Sequence, residues 1–343
     1  SAILLFGMWG PTFDQANFLY FQFYGAGMRK ILKTLIGCLI TLSIIATIIW
    51  YLGNALRPKD TDTAVSAIKA FHDLTDNSVE VIGYGSSHMW LGLDTMEMNK
   101  NYGIRAYNYG CNWQNINTTA LFIKDSLRTQ TPKILLIETF NVNNVLLNTQ
   151  MNGEIYYTRA ISNFEGKRQY LKECFGDDLE GYLSYYIPFV AFHENWTNMD
   201  KRSFEKISSN DFFIQTMGYM PTDNVVPITI GEYMTFEQKK INSYSIMLLD
   251  EIVEICKEKG IEIIFFTVPW QGEYNHGEAM EEYAEEKGYP YFNMFELVEE
   301  VGIDQNTDFS DVGHLNNSGA KKVANYLGKY IIENYDVTNM RVE

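Results

Sequence analysis

Cysteine and positive charge are both scarce in this chain. The four cysteines among 343 residues are widely spaced, and none forms a CxxC pair. Disulfide frameworks and structural zinc sites are built from closely spaced cysteines, so the pattern argues against both. Lys and Arg number 27 against 43 Asp and Glu, a formal net charge of −16. Because an acidic surface repels phosphate backbones, this composition argues against nucleic-acid binding.

Apolar residues, by contrast, are abundant. Hydrophobic residues make up 46% of the chain and aromatic residues 15%. That supply is enough for a sizeable core and argues against global disorder. The length suits one large α/β domain with a membrane segment, or two modest domains.

One segment is apolar enough to lie in a membrane. Residues 35–52 read LIGCLITLSIIATIIWYL and contain no charged residue. With its flanks, this run is long enough to cross the hydrocarbon core of a bilayer. A cleaved signal peptide is the alternative, but the run is long for its apolar region and no A-x-A cleavage site follows closely. We therefore predict a single transmembrane anchor.

The residues around this run predict its orientation. Arg29, Lys30 and Lys33 precede it, and the positive-inside rule places such residues on the cytoplasmic side. Trp50 and Tyr51 suit the opposite interface. The sequence therefore predicts a cell-membrane protein with a single span, whose large C-terminal part is extracytoplasmic.

The chain divides into four predicted segments. Residues 1–27 hold two short apolar bursts and form a hydrophobic leader, after which Met28 and two basic residues look like a natural protein start. Residues 28–56 form the anchor. Residues 57–76 begin with a polar stretch and supply a linker and a juxtamembrane helix. Residues 77–343 form the exposed domain.

Strand and helix patterns alternate along the exposed domain. Apolar runs predict strands at residues 79–84, 104–109, 133–138, 261–268 and 289–293. Helical patterns occupy residues 115–128, 236–259, 277–287 and 316–335. This alternation predicts an α/β fold, a three-layer α/β/α sandwich around a parallel sheet, with the active site at the carboxyl ends of the strands. Residues 143–231 break the alternation as an aromatic-rich insertion, which either stacks on sugar rings or packs as an ordinary cap.

Two separated motifs supply the residues for nucleophilic chemistry. The first strand runs into GYGSSH at residues 83–88, where glycines permit a tight turn and Ser87 would be exposed. A serine needs a base to act as a nucleophile, and Asp311 and His314 stand three residues apart just before a helix. On a loop, that spacing lets the aspartate orient the imidazole while its other nitrogen faces the serine. The alternative is structural: a helix-capping serine and an aspartate that caps a helix on which the histidine packs.

These motifs resemble a known family. GSS at residues 85–87 is similar to the GDS block of the SGNH (GDSL-type) hydrolases, which puts Ser87 at the nucleophile position. DVGH at residues 311–314 resembles the family's D-x-x-H block. The resemblance covers about residues 77–335 and implies a Ser87–His314–Asp311 triad that needs neither a metal nor another cofactor.

The other family blocks are matched less closely. Gly110 follows the second strand, where the family has its oxyanion glycine. Asn141 is the candidate for the oxyanion asparagine, but ETFN at residues 138–141 stands where the family has G-x-N-D, without the glycine and with no Asp after it. Asn112 is therefore a rival. Side chains expected to line the substrate are His88 and Trp113.

The GSS variant, the anchor and the insertion together look most like the branch that modifies cell-surface polymers. That branch includes the D-alanyl transfer protein of teichoic-acid biosynthesis and the alginate acetylation proteins. Its members are often paired with a membrane-bound O-acyltransferase (MBOAT), and residues 1–27 resemble the C-terminal tail of such a protein. The resemblance implies an O-acyltransferase that modifies a polysaccharide or teichoic-acid-like polymer through an acyl-serine. The alternatives are a carbohydrate esterase and a catalytically silent scaffold for the MBOAT partner.

Overall fold

A parallel β-sheet forms the centre of the molecule. The computed structural model describes residues 13–232, 240–272 and 276–337, with side chains from residue 27 onward. Within these ranges the sheet has five strands, each inside one of the predicted apolar runs, in the order β2-β1-β3-β4-β5. The strands are β1 (Val81–Tyr84), β2 (Ala106–Asn108), β3 (Ile134–Glu138), β4 (Glu262–Thr267) and β5 (Tyr291–Asn293).

Helices connect these strands and form the insertion. The described α-helices are α1 (Phe13–Ala55), α2 (Asp62–His72), α3 (Ser87–Gly92), α4 (Thr95–Tyr102), α5 (Ile116–Ser126), α6 (Gly153–Tyr157), α7 (Phe164–Phe175), α8 (Leu179–Tyr186), α9 (Pro188–Phe192), α10 (Asp211–Gln215), α11 (Ser243–Lys259), α12 (Gly277–Lys287), α13 (Val298–Val301) and α14 (Asn317–Asn334). Short 3₁₀ helices lie at Lys59–Thr61, Thr158–Ala160, His193–Asn198 and Lys201–Phe204.

Both faces of the sheet are covered, as the alternation of strands and helices predicted. Successive strand residues point to opposite faces. Ile82 and Ile137 pack with α2, α5, α7, α11 and α12, whereas Val81 and Leu136 pack with α3, α4 and α14. β1 to β4 are buried almost throughout, which explains why they are almost uniformly apolar, whereas the edge strand β5 is half-buried. The predicted three-layer α/β/α sandwich is confirmed.

The predicted start of the long helix before β4 was wrong. Residues 233–239 lie outside the described residues, but residues 240–242 are not helical, and α11 begins at Ser243. Asn242 sets this start, because its Oδ1 accepts a hydrogen bond from the Ser245 N–H at 2.8 Å and thereby forms the N-cap of the helix. The predicted stop is confirmed, since Gly260 adopts the left-handed conformation after Lys259.

The strand order creates a crevice at one edge of the sheet. β1 pairs with β2 on one side and with β3 on the other. The strand after β1 is therefore added on one side of it, and the later strands are added on the opposite side. Connections on the two sides of such a switch point diverge and leave a crevice at the carboxyl ends of the two strands. Here those strands are β1 and β3, and Ser87 follows β1 directly.

The N-terminal segment is a single helix. α1 runs without a break from Phe13 to Ala55, so it includes residues of both the predicted leader and the predicted anchor. No proline lies between Pro11 and Pro58 to interrupt the helical hydrogen bonds. Of the residues for which an MBOAT tail was predicted, FLYFQF is part of α1, and LLFGMWG lies outside the described residues. Gly27–Ala55 is long and apolar enough to cross a membrane.

The last turns of α1 are part of the folded domain. A Cβ atom on Gly53 would lie only 2.6 Å from the Phe189 backbone nitrogen, so α9 of the insertion packs directly on the helix backbone. Leu56 is buried against Tyr156 and Phe192 of the insertion. The insertion thus forms the part of the domain that meets the end of α1.

Candidate active site

A tight turn after β1 presents Ser87 at the crevice. Gly85 has a φ of +155°, and a Cβ atom there would lie 2.7 Å from the Glu138 Cβ and 2.9 Å from the Met89 Cβ, so only glycine fits. Ser86 is the N-cap of α3 and its side chain accepts a hydrogen bond from the His88 N–H at 3.2 Å. The turn therefore buries Ser86 and leaves Ser87 half-buried at the first position of α3.

The structure brings the three residues of the predicted triad together. His314 Nε2 lies 2.7 Å from Ser87 Oγ. On the other side of the ring, His314 Nδ1 lies 2.9 Å and 3.0 Å from the two carboxylate oxygens of Asp311. The side chains of His314 and Asp311 are 27% and 54% exposed, so solvent reaches the outer end of this chain of hydrogen bonds. Such a chain can remove a proton from a serine hydroxyl while the carboxylate orients the imidazole.

The loop that carries Asp311 and His314 is closed on itself. The Ser310 N–H donates to the His314 carbonyl at 2.8 Å, and Phe309 and Leu315 form an antiparallel bridge. The Gly313 N–H donates to Asp311 Oδ1 at 2.7 Å, which holds the carboxylate beside the imidazole. These bonds prearrange the histidine and the aspartate before any substrate binds.

The end of the insertion supports this loop. The Val226 N–H donates to the Phe309 carbonyl at 2.9 Å, and Asn316 Nδ2 donates to the carbonyls of Asn224 and Thr307 at 3.0 and 2.8 Å. Asn316 also caps α14. The insertion therefore contacts both the end of α1 and the loop of the site.

His88 is packed beside this chain of hydrogen bonds. Its ring stacks on Phe140 with 3.7 Å between centroids and lies 5.2 Å from the rings of His314 and Trp270. Burial lowers the pKa of His88 well below its ordinary value, and the nearby His314 lowers it further, so the ring is neutral at pH 7. The buried Nε2 has no hydrogen-bond partner among the described residues. His88 thus lies beside His314, and its predicted role in lining the substrate stays a prediction.

A buried carboxyl group beneath the serine turn was missed by the sequence reasoning. Glu138, the last residue of β3, is 5% exposed. It accepts hydrogen bonds from the Phe140 N–H at 2.8 Å and from Ser86 Oγ at 3.2 Å. Burial outweighs these bonds and raises the pKa of Glu138 to about 8. The signal in the sequence was an acidic residue that ends an otherwise apolar strand.

We expect Glu138→Gln to flatten the dependence of stability on pH. The folded-state pKa of about 8 lies above the unfolded value. The folded protein therefore holds this proton more tightly, and stability falls as the pH rises from the unfolded pKa through the folded one. Glutamine cannot titrate. Between about pH 5 and about pH 8, the unfolding free energy measured in urea should fall by at least about 1 kcal/mol more in the wild type than in the variant.

An exposed glutamate supplies the matched control for this prediction. Glu165 has a side chain that is 77% exposed, and Glu165→Gln should leave the pH slope of the wild type unchanged. Equal slopes for the wild type and Glu138→Gln would show that the buried carboxyl does not keep its proton in the folded state.

The predicted oxyanion donors are engaged within the protein. The Gly110 N–H lies near the serine turn but donates to Asn108 Oδ1 at 3.1 Å. Asn141 is 4% exposed, and its side-chain amide donates to the Gln114 carbonyl at 3.3 Å. In this arrangement both groups already have a hydrogen-bond partner inside the protein. The Ser87 N–H has no partner within α3, because the first N–H groups of a helix cannot bond inside it.

The loop after β2 holds the remaining candidates. Asn112 is exposed, and its carbonyl accepts a hydrogen bond from the Tyr157 hydroxyl at 3.3 Å. Trp113 is 72% exposed and has a φ of +58°, an unusual conformation for a bulky side chain. Both side chains are accessible to a ligand.

Comparison with known proteins gives only a distant similarity. No protein-family model and no curated protein sequence matches the chain. Among solved structures, a predicted acylhydrolase from Bacteroides fragilis is similar at 11% identity, with 77% of this chain and 92% of that chain covered and a TM-score of 0.38. A GDSL-like lipase from Bacteroides thetaiotaomicron is also 11% identical, with 77% and 94% covered and a TM-score of 0.35. The assignment of function therefore depends on the side chains around Ser87.

Proposed function

We propose that the protein is a serine-dependent acyl-transfer enzyme in which Ser87, His314 and Asp311 form the catalytic triad. The observation that carries this proposal is the unbroken chain of hydrogen bonds from Ser87 Oγ to the Asp311 carboxylate, at the switch point of the sheet. A silent scaffold would need no such alignment, whereas nucleophilic catalysis by serine depends on it.

The geometry supports a two-step reaction. His314 Nε2 takes the proton from Ser87 Oγ as the oxygen attacks the carbonyl carbon of an ester or thioester. The tetrahedral intermediate then collapses, the leaving alcohol or thiol receives the proton from His314, and an acyl-serine remains. In the second step His314 deprotonates an incoming hydroxyl group, which takes the acyl group and restores Ser87.

The oxyanion of each intermediate needs hydrogen-bond donors. We assign the Ser87 N–H to this role. The Gly110 N–H can join it only by exchanging its present bond to Asn108 Oδ1. One such donor typically raises the rate by about 10²–10³-fold. Release of the Gly110 N–H from Asn108 would therefore increase turnover.

We further propose that the acceptor is a hydroxyl group of a cell-surface polysaccharide or teichoic-acid-like polymer. The support is α1, whose apolar segment continues directly into the domain and would hold the site beside a membrane. Three basic residues before the apolar segment favour an extracytoplasmic domain, which external protease on intact cells would test. An MBOAT partner would supply the acyl group, and co-purification of the two proteins would test that pairing.

Hydrolysis is the second candidate reaction. The half-buried Ser87 and the exposed Asp311 leave the site open to water, which can replace a sugar hydroxyl in the second step. The same residues would then remove acyl groups from a glycan.

Mass spectrometry of the full chain incubated with p-nitrophenyl acetate tests the shared first step. We expect a mass increase of one acetyl group, mapped to the peptide that contains Ser87. Addition of an oligosaccharide then separates the candidates: acetylated sugar indicates a transferase, and free acetate with unmodified sugar indicates an esterase. Ester turnover without any adduct on Ser87 would contradict both.

A further inference from the structure

A cavity of about 500 Å³ lies where α1 enters the domain. Its apolar wall includes Trp50 and Tyr51 of α1, Val65 of α2 and Phe204 of the insertion. Trp50, Tyr51 and Phe204 remain 58%, 49% and 51% exposed, although the rings of Tyr51 and Phe204 stack at 6.1 Å. Large aromatic side chains with this exposure are unusual for a surface that contacts only water. The cavity also has the size of a typical ligand site.

The length of α1 places this cavity at the surface of a bilayer. The charge-free stretch between Lys33 and Arg57 is about 35 Å long at 1.5 Å per residue. That is slightly more than the ~30 Å hydrocarbon core of a bilayer. Arg57 would therefore lie among the headgroups, with Trp50 and Tyr51 just inside the boundary, where such side chains are enriched. A lipid next to α1 would meet the cavity at the level of its phosphate group.

The cavity is basic although the chain as a whole is acidic. The charged residues that line it are the cations Arg57, Lys69, Arg159 and Lys206 and the single anion Glu205. Burial lowers the pKa of Lys69, and the positive charges of Lys206 and Arg57 lower it further. These cations thus lie close enough to repel one another. In a protein of net charge −16, such a local excess of positive charge favours an anionic ligand.

Two of these cations are placed to meet a ligand. The Arg57 guanidinium is already used, since it bonds to Asp62 at 2.7 Å and to the Ser203 carbonyl at 3.1 Å. Lys69 Nζ donates to the Ile207 carbonyl. Arg159 instead lies over the ring of Tyr156 at 5.2 Å, and Lys206 is exposed.

We propose that this cavity binds an anionic phospholipid of the bilayer that α1 spans. Its phosphate would lie at Arg159 and Lys206, and its chains would run along Trp50, Tyr51 and Phe204. The inference rests on the membrane anchoring proposed above. Free phosphate could use the cations but would leave the aromatic wall without a function, so the combined surface fits a lipid.

Lipid retention by the full chain tests this proposal. The protein is reconstituted in nanodiscs with equal amounts of phosphatidylglycerol and phosphatidylcholine and is then stripped with detergent, and the lipids that remain are measured by native mass spectrometry. We expect the wild type to retain phosphatidylglycerol in preference to phosphatidylcholine. The double variant Arg159→Glu/Lys206→Glu should retain at least about twenty-five-fold less, since each basic group near the headgroups contributes roughly a fivefold effect and the two effects multiply.

Two further variants separate the cavity from general electrostatics. Lys172→Glu/Lys201→Glu makes the same change in net charge within the insertion at residues that do not line the cavity, and it should retain lipid as the wild type does. Ala160→Phe adds bulk to the cavity without any change of charge, and it should also lose the lipid.

The proposal is contradicted by equal retention of the two lipids, by an undiminished amount in Arg159→Glu/Lys206→Glu, or by full retention in Ala160→Phe. Hydrolysis of p-nitrophenyl acetate in the same samples keeps this proposal separate from the catalytic one. Retained lipid with no ester turnover would count against the triad alone, whereas ester turnover without lipid selectivity would count against the cavity alone.

Discussion

Ser87→Ala is expected to lower the hydrolysis of p-nitrophenyl acetate by about 10⁴-fold or more, because the variant has no oxygen to form the acyl-enzyme. The fold should persist, since Ser87 is half-buried and its hydroxyl group bonds to the partly exposed imidazole of His314 rather than to a core residue. The measurement is kcat/KM for the full chain in detergent, with the unfolding midpoint recorded on the same preparation.

The adjacent serine provides the matched control. Ser86 Oγ accepts a hydrogen bond from the His88 N–H and donates one to Glu138, so Ser86→Ala should cost about 1–2 kcal/mol of stability through the lost N-cap and the weakened buried network. Its turnover should stay within about tenfold of the wild type. If Ser86→Ala were the inactive variant and Ser87→Ala the active one, the nucleophile would have been assigned to the wrong serine.

Asp311→Asn is the second variant with a large expected effect, a loss of about 10⁴-fold in kcat. The Asp311 carboxylate accepts from His314 Nδ1, which fixes the tautomer with a free Nε2 and stabilises the imidazolium formed during the reaction. An asparagine amide offers a neutral group and favours the wrong tautomer. Because Asp311 is 54% exposed, the unfolding free energy should change by less than about 0.5 kcal/mol.

Asp308, three residues earlier, should show the opposite behaviour. It is fully buried, accepts from the Asp304 N–H at 2.7 Å and pairs with Lys322 at 2.5 Å. Asp308→Asn removes the charge that Lys322 neutralises, so we expect a loss of about 1–3 kcal/mol in stability. The kcat of the folded protein should be unchanged. A catalytic defect in this variant, or a stability defect alone in Asp311→Asn, would contradict the assignment of the orienting carboxylate.

The proposed lipid site would also constrain the active site. The insertion packs on the end of α1 through Phe189 and hydrogen-bonds to the His314-bearing loop through Val226 and Asn224. A lipid held between α1 and the insertion would therefore fix the height of the triad above the bilayer. A polymer that is itself anchored in the membrane is a suitable acceptor for a site held in this way.

Local patterns in the sequence were sufficient for the elements of the fold. The apolar runs predicted all five described strands. Four of these strands are buried almost throughout, and a strand buried on both faces of a parallel sheet has to be apolar at nearly every position. Gly260 predicted the end of α11 for an equally local reason, since the left-handed conformation favours glycine. The start of α11 was wrong because helical periodicity does not show where a side chain such as Asn242 caps the backbone.

The site was predictable only in part. Ser87, Asp311 and His314 were proposed from two motifs, but the 2.7 Å contact between Ser87 and His314 joins residues 227 positions apart, and no local pattern determines such a distance. The oxyanion donors illustrate the limit: the position of Gly110 after β2 was visible in the sequence, whereas the engagement of its N–H by Asn108 was not.

The sequence by itself determined the apolar helix, the alternation of strands and helices, and the types of residue that could carry nucleophilic chemistry, because each depends on neighbours along the chain. Only the tertiary structure decided which serine faces His314, how Glu138 comes to lie beneath the serine turn, and that a basic cavity forms between α1 and the insertion. These features arise from contacts between distant segments, and such contacts exist only after the sheet order and the packing of the insertion are established.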